Sequence, residues 1–316
     1  MSQILRISDL WVDFEVNGRV VNSPLRGINL EIKAGETLGV VGETGCGKTL
    51  TATAVMGLLP SSAVQRGKIE FADHGALDLD IMSEIRGSEI TMIFQNPQSA
   101  FNPIFSIGAQ LKMVAQRRNY KKSDIAAAIK ERLVSVGLAD TPRILNSYPH
   151  QLSGGMLQRC MIAMAMISSP KLLIADEPTT ALDATIGDQV LELIRDLQRR
   201  NGFAMLFISH DVTAVAKVSD NISVIYAGKV VETGPSKSIM ESPRHPYTQG
   251  LLGAIPSAKK KRGTLTAIPG SVPSLLQGIV GCSFAPRCAH RMDKCAQEPP
   301  MVRLGDQQVA CWKVMP

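Results

Sequence analysis

Aromatic residues are scarce: 2 Trp, 4 Tyr and 8 Phe among 316 residues, or 4%. The core must therefore be aliphatic. Long apolar runs are missing too. The longest uncharged apolar run, Cys160 to Ile167, has eight residues, far short of the roughly 18–20 that span a bilayer. The first residues, Met1-Ser2-Gln3-Ile4-Leu5-Arg6, show no basic segment followed by an apolar one, so no secretory signal is expected and the chain should be made and kept in the cytosol. Internal repeats and low-complexity stretches are absent, and so is the Asn-Lys-x-Asp motif that reads guanine. Hydrophobic residues at 45% and charged residues at 20% exclude a disordered chain. The length allows about two domains.

Charge is unevenly placed. The net charge is +6, and residues 241–316 hold ten Lys/Arg against four Asp/Glu, so the whole excess lies there. A basic body built for nucleic acid is thereby disfavoured, and no nucleic-acid partner is expected. Lys259-Lys260-Lys261-Arg262 is the densest cluster, which reads as a solvated linker or as a site for anionic lipid heads. Four of the six cysteines also fall here: Cys282, Cys288, Cys295 and Cys311. With Ser242-Pro243, His245-Pro246, Pro256, Pro269 and Pro273 as punctuation, a boundary is expected near residue 241.

Short apolar runs bounded by glycine or charge predict strands at residues 4–14, 27–33, 37–41, 171–176 and 204–209. A hairpin over residues 223–232 is predicted to turn at Gly228-Lys229. Helices are predicted from Lys48 to Leu59, stopped by Pro60; from Ser123 (as N-cap) to Val136, stopped by Gly137; and from Ser153 onward. Residues 98–168 read as mainly helical. The class is α/β, with a helical insertion.

Three segments carry chemistry. Gly42-Glu43-Thr44-Gly45-Cys46-Gly47-Lys48-Thr49 fits G-x-x-x-x-G-K-[ST] between a strand and a helix. Its glycines let backbone N–H groups curl around phosphate, Lys48 should neutralise β- and γ-phosphate charge, and Thr49 should ligate Mg²⁺. Leu50 follows inside the same helix start. Cys46 reads as a small residue, although a helix N-terminus would lower its thiol pKa. Leu172-Leu173-Ile174-Ala175-Asp176-Glu177 is an apolar strand ending in two carboxylates. Asp176 is expected to hold Mg²⁺ through water and Glu177 to orient or deprotonate the attacking water. His210 follows the next strand and is expected near the γ-phosphate. Leu152-Ser153-Gly154-Gly155-Met156-Leu157-Gln158-Arg159 opens a helix as a second anion site. One nucleotide has no use for two such sites from one chain, so this one is expected to complete a partner subunit's pocket.

The ordered set of the 42–49 loop, Gln95 in Phe94-Gln95-Asn96-Pro97, the Leu152–Gln158 signature, Asp176-Glu177, Ala181-Leu182-Asp183 and His210 resembles the ATP-binding subunits of ABC transporters over residues 1–240. The resemblance implies a P-loop ABC ATPase core, with a RecA-like α/β subdomain, an antiparallel β subdomain and a helical subdomain at about 98–168. It also implies that Gln95 contacts Mg²⁺ and the attacking water, that Ser153, Gly154, Gly155 and Gln158 serve ATP on the opposite subunit, and that Asp183 lines the dimer interface. Phe14 is the aromatic expected to stack on adenine, with Trp11 as the alternative and core packing open for either. No catalytic position departs from the pattern, so hydrolysis of ATP is expected. A non-transport ABC ATPase would bring a long coiled-coil insertion or tandem cores, and neither is visible. A P-loop GTPase would leave the signature unexplained.

Residues 245–252 (HPYTQGLL) and 281–288 (GCSFAPRC) resemble the C-terminal extension of oligopeptide/dipeptide importer ATPases, over most of residues 241–316. The wording at Gly155-Met156, Met161–Ala165 and Asp176–Thr180 is closer to the first of that family's two ATPase subunits. This implies a heterodimer with a sister ATP-binding subunit, two membrane-spanning permease subunits and an extracytoplasmic solute-binding protein, with the chain peripheral on the cytoplasmic face of the inner membrane. Peptides are the implied cargo; nickel, opine or oligosaccharide import uses the same ATPase type. The spacing C-x5-C-x6-C-x15-C suits either Zn²⁺ or an iron–sulfur cluster, with unligated buried thiols also open. The resemblance favours [4Fe–4S], first of all as a structural clip.

Overall fold

The computed structural model describes residues 2–117, 120–255, 268–273 and 279–315. The Lys259–Arg262 cluster and Pro256 lie outside the described residues. The chain divides into two compact units, Met1–Asp78 with Phe207–Pro316, and Leu79–Leu206.

The first unit opens with long antiparallel strands, β1 (Gln3–Val16) and β2 (Arg19–Lys33). Leu5, Ile7, Leu10 and Val12 of β1 and Leu25, Ile28, Leu30 and Ile32 of β2 all point into the core. The buried strand β3 (Thr37–Val41) leads to helix α1 (Lys48–Val55). The helix ends four residues before the predicted Leu59. Met56 is its C-cap and Gly57 takes the left-handed conformation (φ 61°), so the stop is a glycine C-terminus and not Pro60. β4 (Ala63–Phe71) and the short β5 (Gly75–Ala76) complete a four-stranded antiparallel sheet in the order β2-β1-β4-β5.

The second unit begins with α2 (Leu79–Ile85) and β6 (Ile90–Ile93). Five helices follow without an intervening strand: α3 (Pro97–Ala100), α4 (Ile107–Gln116), α5 (Ile125–Ser135), α6 (Thr141–Asn146) and α7 (Gly154–Met166). Ser123 is not the N-cap of α5. Asp124 occupies that place, and the Ser123 hydroxyl donates to its carboxylate at 2.7 Å. β7 (Leu172–Asp176), wholly buried, pairs parallel with β6. α8 (Ala184–Asn201) is strongly amphipathic, burying Val190, Leu191, Ile194 and Leu197. Its first turn is capped by the Asp183 carboxylate, and Gly202 ends it at φ 69°.

β8 (Ala204–Ser209) runs across the division between the units. In the first unit α9 (Val212–Val218) then leads to β9 (Asn221–Tyr226), which pairs parallel with β3 and antiparallel with β10 (Lys229–Pro235). The hairpin turns at Ala227-Gly228, one residue before the predicted position. Both residues have positive φ (46° and 79°), the combination a tight two-residue turn needs. α10 (Ser236–Glu241) and α11 (Pro246–Gly253) follow. The chain closes with β11 (Val302–Leu304) and β12 (Gln307–Val309), and β12 pairs antiparallel with β10. The ladder through β3, β9, β10 and β12 is thus of mixed direction, whereas the sheet β2-β1-β4-β5 is purely antiparallel. Among the described residues no helix is long and apolar enough to cross a membrane.

Residues after 240 are knit to this unit by more than the strand pair. Tyr226 of β9 packs against Tyr247 and Phe284 at centroid separations of 4.6 and 5.2 Å, and Phe284 lies 5.4 Å from Tyr247. Such pairs add about 0.5–1.5 kcal/mol each beyond their buried area. Glu232, fully buried, accepts the N–H groups of Arg244 (2.6 Å) and His245 (3.1 Å) at the entry to α11.

The expected four-cysteine metal site is not supported. Burial pushes the thiols of Cys282 and Cys311 up, and Cys295 adds to both shifts, so the cysteines share a neighbourhood. Yet among the described residues no group of three or more His, Cys, Asp or Glu side chains is arranged to hold a metal ion. Cys282, Cys288 and Cys295 are half-buried and Cys311 buried, all as free thiols. The described residues thus give no support for a [4Fe–4S] cluster or for Zn²⁺ at this place. What links these loops here is backbone: the Cys282 N–H donates to the Cys295 carbonyl at 3.0 Å.

His245 gives this packing a pH signature. It is 1% exposed, its Nδ1 accepts the Tyr247 N–H at 3.0 Å, and burial pushes its pKa from 6.5 down to about 4. As pH falls below 6.5 the unfolded chain takes up a proton that the folded chain refuses, so stability is lost down to about pH 4. The full effect is about 3 kcal/mol. We expect His245→Asn to be less stable than the parent at pH 7, and the gap in urea unfolding to narrow by at least about 1 kcal/mol at pH 4.5. Parallel stability profiles from pH 7 to 4.5 would remove His245 as the titrating group.

Candidate nucleotide-binding site

In the first unit the junction of β3 and α1 is a glycine-built loop. Two positions exclude any side chain. A Cβ on Gly42 would lie 2.2 Å from the Ile225 carbonyl, and one on Gly47, at φ 106°, would lie 2.5 Å from Leu25. The loop's back is pressed onto β9 and held by the Gly228 N–H donating to the Cys46 carbonyl at 3.0 Å. Thr44, Gly45 and Thr49 are exposed, Glu43 and Leu50 half-exposed. The Lys48 ammonium folds under the loop and donates to the carbonyls of Gly42 (2.8 Å) and Glu43 (3.1 Å). Cys46 takes the place of a small residue, and the helix start does not lower its thiol pKa. It is fully buried, and burial pushes its thiol up despite the nearby Lys48.

Glu43 is held at every polar group. Its N–H donates to the Tyr247 hydroxyl at 2.9 Å, and its carbonyl accepts from Lys48. Its carboxylate accepts a two-pronged ion pair from Arg287, at 2.6 and 2.9 Å. Arg287 also donates to the Pro269 carbonyl at 2.8 Å. The bonds to Glu43 hold its pKa above the usual value, against the burial that opposes them. Tyr247 and Arg287 were not among the expected site residues. The available signal was the carboxylate itself, an anion inside a loop built for anions, which calls for a counter-charge.

Also in this unit, His210 follows directly on β8 and is exposed. Phe14 is half-buried near the end of β1. Trp11 is engaged otherwise: its indole N–H donates to Asp9, and Arg66 and Lys229 lie over its ring at 5.1 and 5.8 Å.

In the second unit, β7 delivers Asp176, 2% exposed, and then Glu177, 9% exposed. Glu177 has a left-handed backbone (φ 47°), a conformation that costs a non-glycine residue about 1–3 kcal/mol and collects at functional sites. Its carboxylate accepts from the Gln95 amide at 3.0 Å and the Thr180 hydroxyl at 2.9 Å. The structure thus brings together Gln95 and Glu177, 82 residues apart in sequence. The signature serine caps α7, its hydroxyl accepting the Met156 N–H at 3.3 Å. Ser153 and Gly154 are exposed, and Gly155 is half-buried where a Cβ would meet Ile186 at 2.9 Å. Asp183 is exposed. Gln158 differs from the expectation of an ATP contact. One turn into α7 it faces inward, 1% exposed, with its Nε2 buried and lacking a hydrogen-bond partner.

These features agree with comparisons to known proteins. The family profile described as "ABC transporter" matches residues 25–180, and the one described as "Oligopeptide/dipeptide transporter, C-terminal region" matches residues 231–295. The chain is 44% identical to the dipeptide transport ATP-binding protein DppD of Bacillus subtilis (strain 168), over 99% of this chain and 95% of that one. It is 39% identical to the oligopeptide transport ATP-binding protein OppD of Escherichia coli (strain K12), over 98% and 93%. Among solved structures, cbiO1 from Clostridium perfringens, part of the ABC transporter complex cbiONQ, superposes with a TM-score of 0.64 at 26% identity, covering 77% of this chain and 92% of that one.

The loop geometry yields one prediction. Gly47→Ala should lower unfolding free energy by about 1–3 kcal/mol, because the φ and the Leu25 contact are both violated, and should weaken ATP binding more than tenfold (roughly) by tilting the first turn of α1. Titration with a fluorescent ATP analogue checks it. Binding within twofold of the parent, on the order of measurement scatter, would show that the loop tolerates the methyl.

Proposed function

Since the chain belongs to the ATP-binding subunits of ABC importers of the oligopeptide/dipeptide type, we propose that it hydrolyses ATP through Lys48, Glu177 and His210 to power peptide uptake. The observation that carries this reading is the β3–α1 loop, with open glycines and a lysine tucked beneath, in a chain that matches the peptide transport ATP-binding proteins along almost its whole length. Lys48 exchanges its loop carbonyls for phosphate oxygens when the nucleotide arrives. Thr49, Gln95 and Asp176 offer the hard oxygen donors that suit Mg²⁺, which would offset phosphate charge when bound. Glu177 takes the proton of the attacking water, and its bonds to Gln95 and Thr180 fix the carboxylate for that task. Phe14 stacks on adenine.

The chain works as a dimer with permease components of a peptide transport system. The finer reading is a heterodimer with a sister ATP-binding subunit, in which Ser153 and Gly155 serve the ATP on the opposite subunit and Asp183 borders the interface. Two membrane-spanning permease subunits and an extracytoplasmic solute-binding protein complete the transporter, with this chain on the cytoplasmic face of the membrane. Residues 1–240 form the ATPase domain and residues 241–316 its extension.

In the assembled transporter, Glu177→Gln should keep ATP affinity while turnover falls by roughly 10²–10⁴-fold. Near-parental turnover would remove Glu177 as the base. Ser153→Arg should abolish turnover at the sister subunit's site, with ATP still binding this chain's own loop. Loss of that binding instead would overturn the cross-subunit assignment.

A further inference from the structure

The sequence around Glu43 poses an electrostatic problem. Between Gly42 and Thr49 the loop carries one carboxylate, Glu43, and one ammonium, Lys48. Left to themselves the two cancel, and a loop meant to hold a triphosphate would offer no net positive charge. The counter-charge comes from far along the chain. Arg287, in the 281–288 segment, sets its guanidinium on the Glu43 carboxylate in a fork at 2.6 and 2.9 Å. Its side chain is 5% exposed and that of Glu43 29%, so water screens the pair little on the arginine side. Carbonyl acceptance by Pro269 and the Tyr226 ring 5.8 Å from the guanidinium hold Arg287 in place. Tyr247, from α11, takes up the Glu43 N–H.

We propose that Arg287 is a positioning residue of the ATPase: it neutralises Glu43 and thereby sets the charge and conformation of the phosphate loop. The extension after residue 240 is then part of the nucleotide machinery and not only an added module. With Arg287 present the loop carries a net charge of +1; without it the Glu43 carboxylate stands unpaired where a polyanion must dock. The penalty falls on binding, because both Glu43 and the phosphates are charged before and after hydrolysis. A lysine at 287 keeps the charge and loses the fork.

This inference rests on the ATPase reading above, and the test separates the two. With the full-length chain in its transporter, ATP turnover is measured for the parent, Arg287→Gln, Arg287→Lys and the double variant Glu43→Gln/Arg287→Gln. Arg287→Gln should raise KM for ATP by about tenfold with kcat within about twofold, the signature of weakened binding. Arg287→Lys should stay within about threefold of the parental KM, and the double variant should return most of the way to the parent, because no bare carboxylate remains. An unchanged KM in Arg287→Gln overturns the proposal. So does a double variant as impaired as the single, which would make Arg287 a packing residue of the extension. If Arg287→Gln does not fold, a tenfold KM rise in Arg287→Lys overturns it likewise. A parent with no ATP turnover would strike at the ATPase reading instead.

Discussion

A loop that binds a polyanion must keep its amides turned outward and its own carbonyls accounted for. In this chain Lys48 meets the second demand, bonding the carbonyls of Gly42 and Glu43 from beneath. The first demand is met by glycine at the two places where the loop lies against β9 and β2, with no room for a methyl group. Strand β3, buried along its whole length and flanked by β9, supplies the rigid base from which the loop springs. Most of the first unit can be understood as support for that turn.

The second unit supports a different group of atoms. Glu177 sits one residue past a fully buried strand, in a backbone conformation that its neighbours must enforce. Two donors, Gln95 and Thr180, restrict its carboxylate. A carboxylate held this way is fixed in orientation, with little reorganisation left to it. The signature serine shows the same economy: one hydroxyl caps α7 while the residue itself stays at the surface.

Much of this was legible in the sequence where one local rule decided the outcome. The buried strands at residues 37–41, 172–176 and 204–209 are short apolar runs with sharp ends, and nothing competes with that pattern. The capping of α7 by Ser153 and the phosphate loop were equally plain. Errors arose where two signals lay close together. Gly57 ended α1 before Pro60 could, and Asp124 displaced Ser123 at the start of α5. The inward rotation of Gln158 follows from helical phase, which a motif read as a string does not carry. The four cysteines show the limit of spacing: nearness in sequence brings thiols into one neighbourhood, and by itself says nothing of how their sulfurs are arranged. Arg287 and Tyr247 were hidden because their partner lies 244 and 204 residues away, and only the fold joins them.

The length of that connection also bears on how the protein is made. The phosphate loop is among the first segments to leave the ribosome, and its strand β3 needs β9 beside it, some 180 residues later. Even then Glu43 has no partner for its carboxylate until residue 287 has been synthesised, and β10 lacks its neighbour β12 until residue 309. A nascent chain therefore holds an unfinished nucleotide site for most of its translation. A product cut short before residue 287 would carry the phosphate loop with Glu43 unpaired, and would hold ATP more weakly than a chain that includes Arg287.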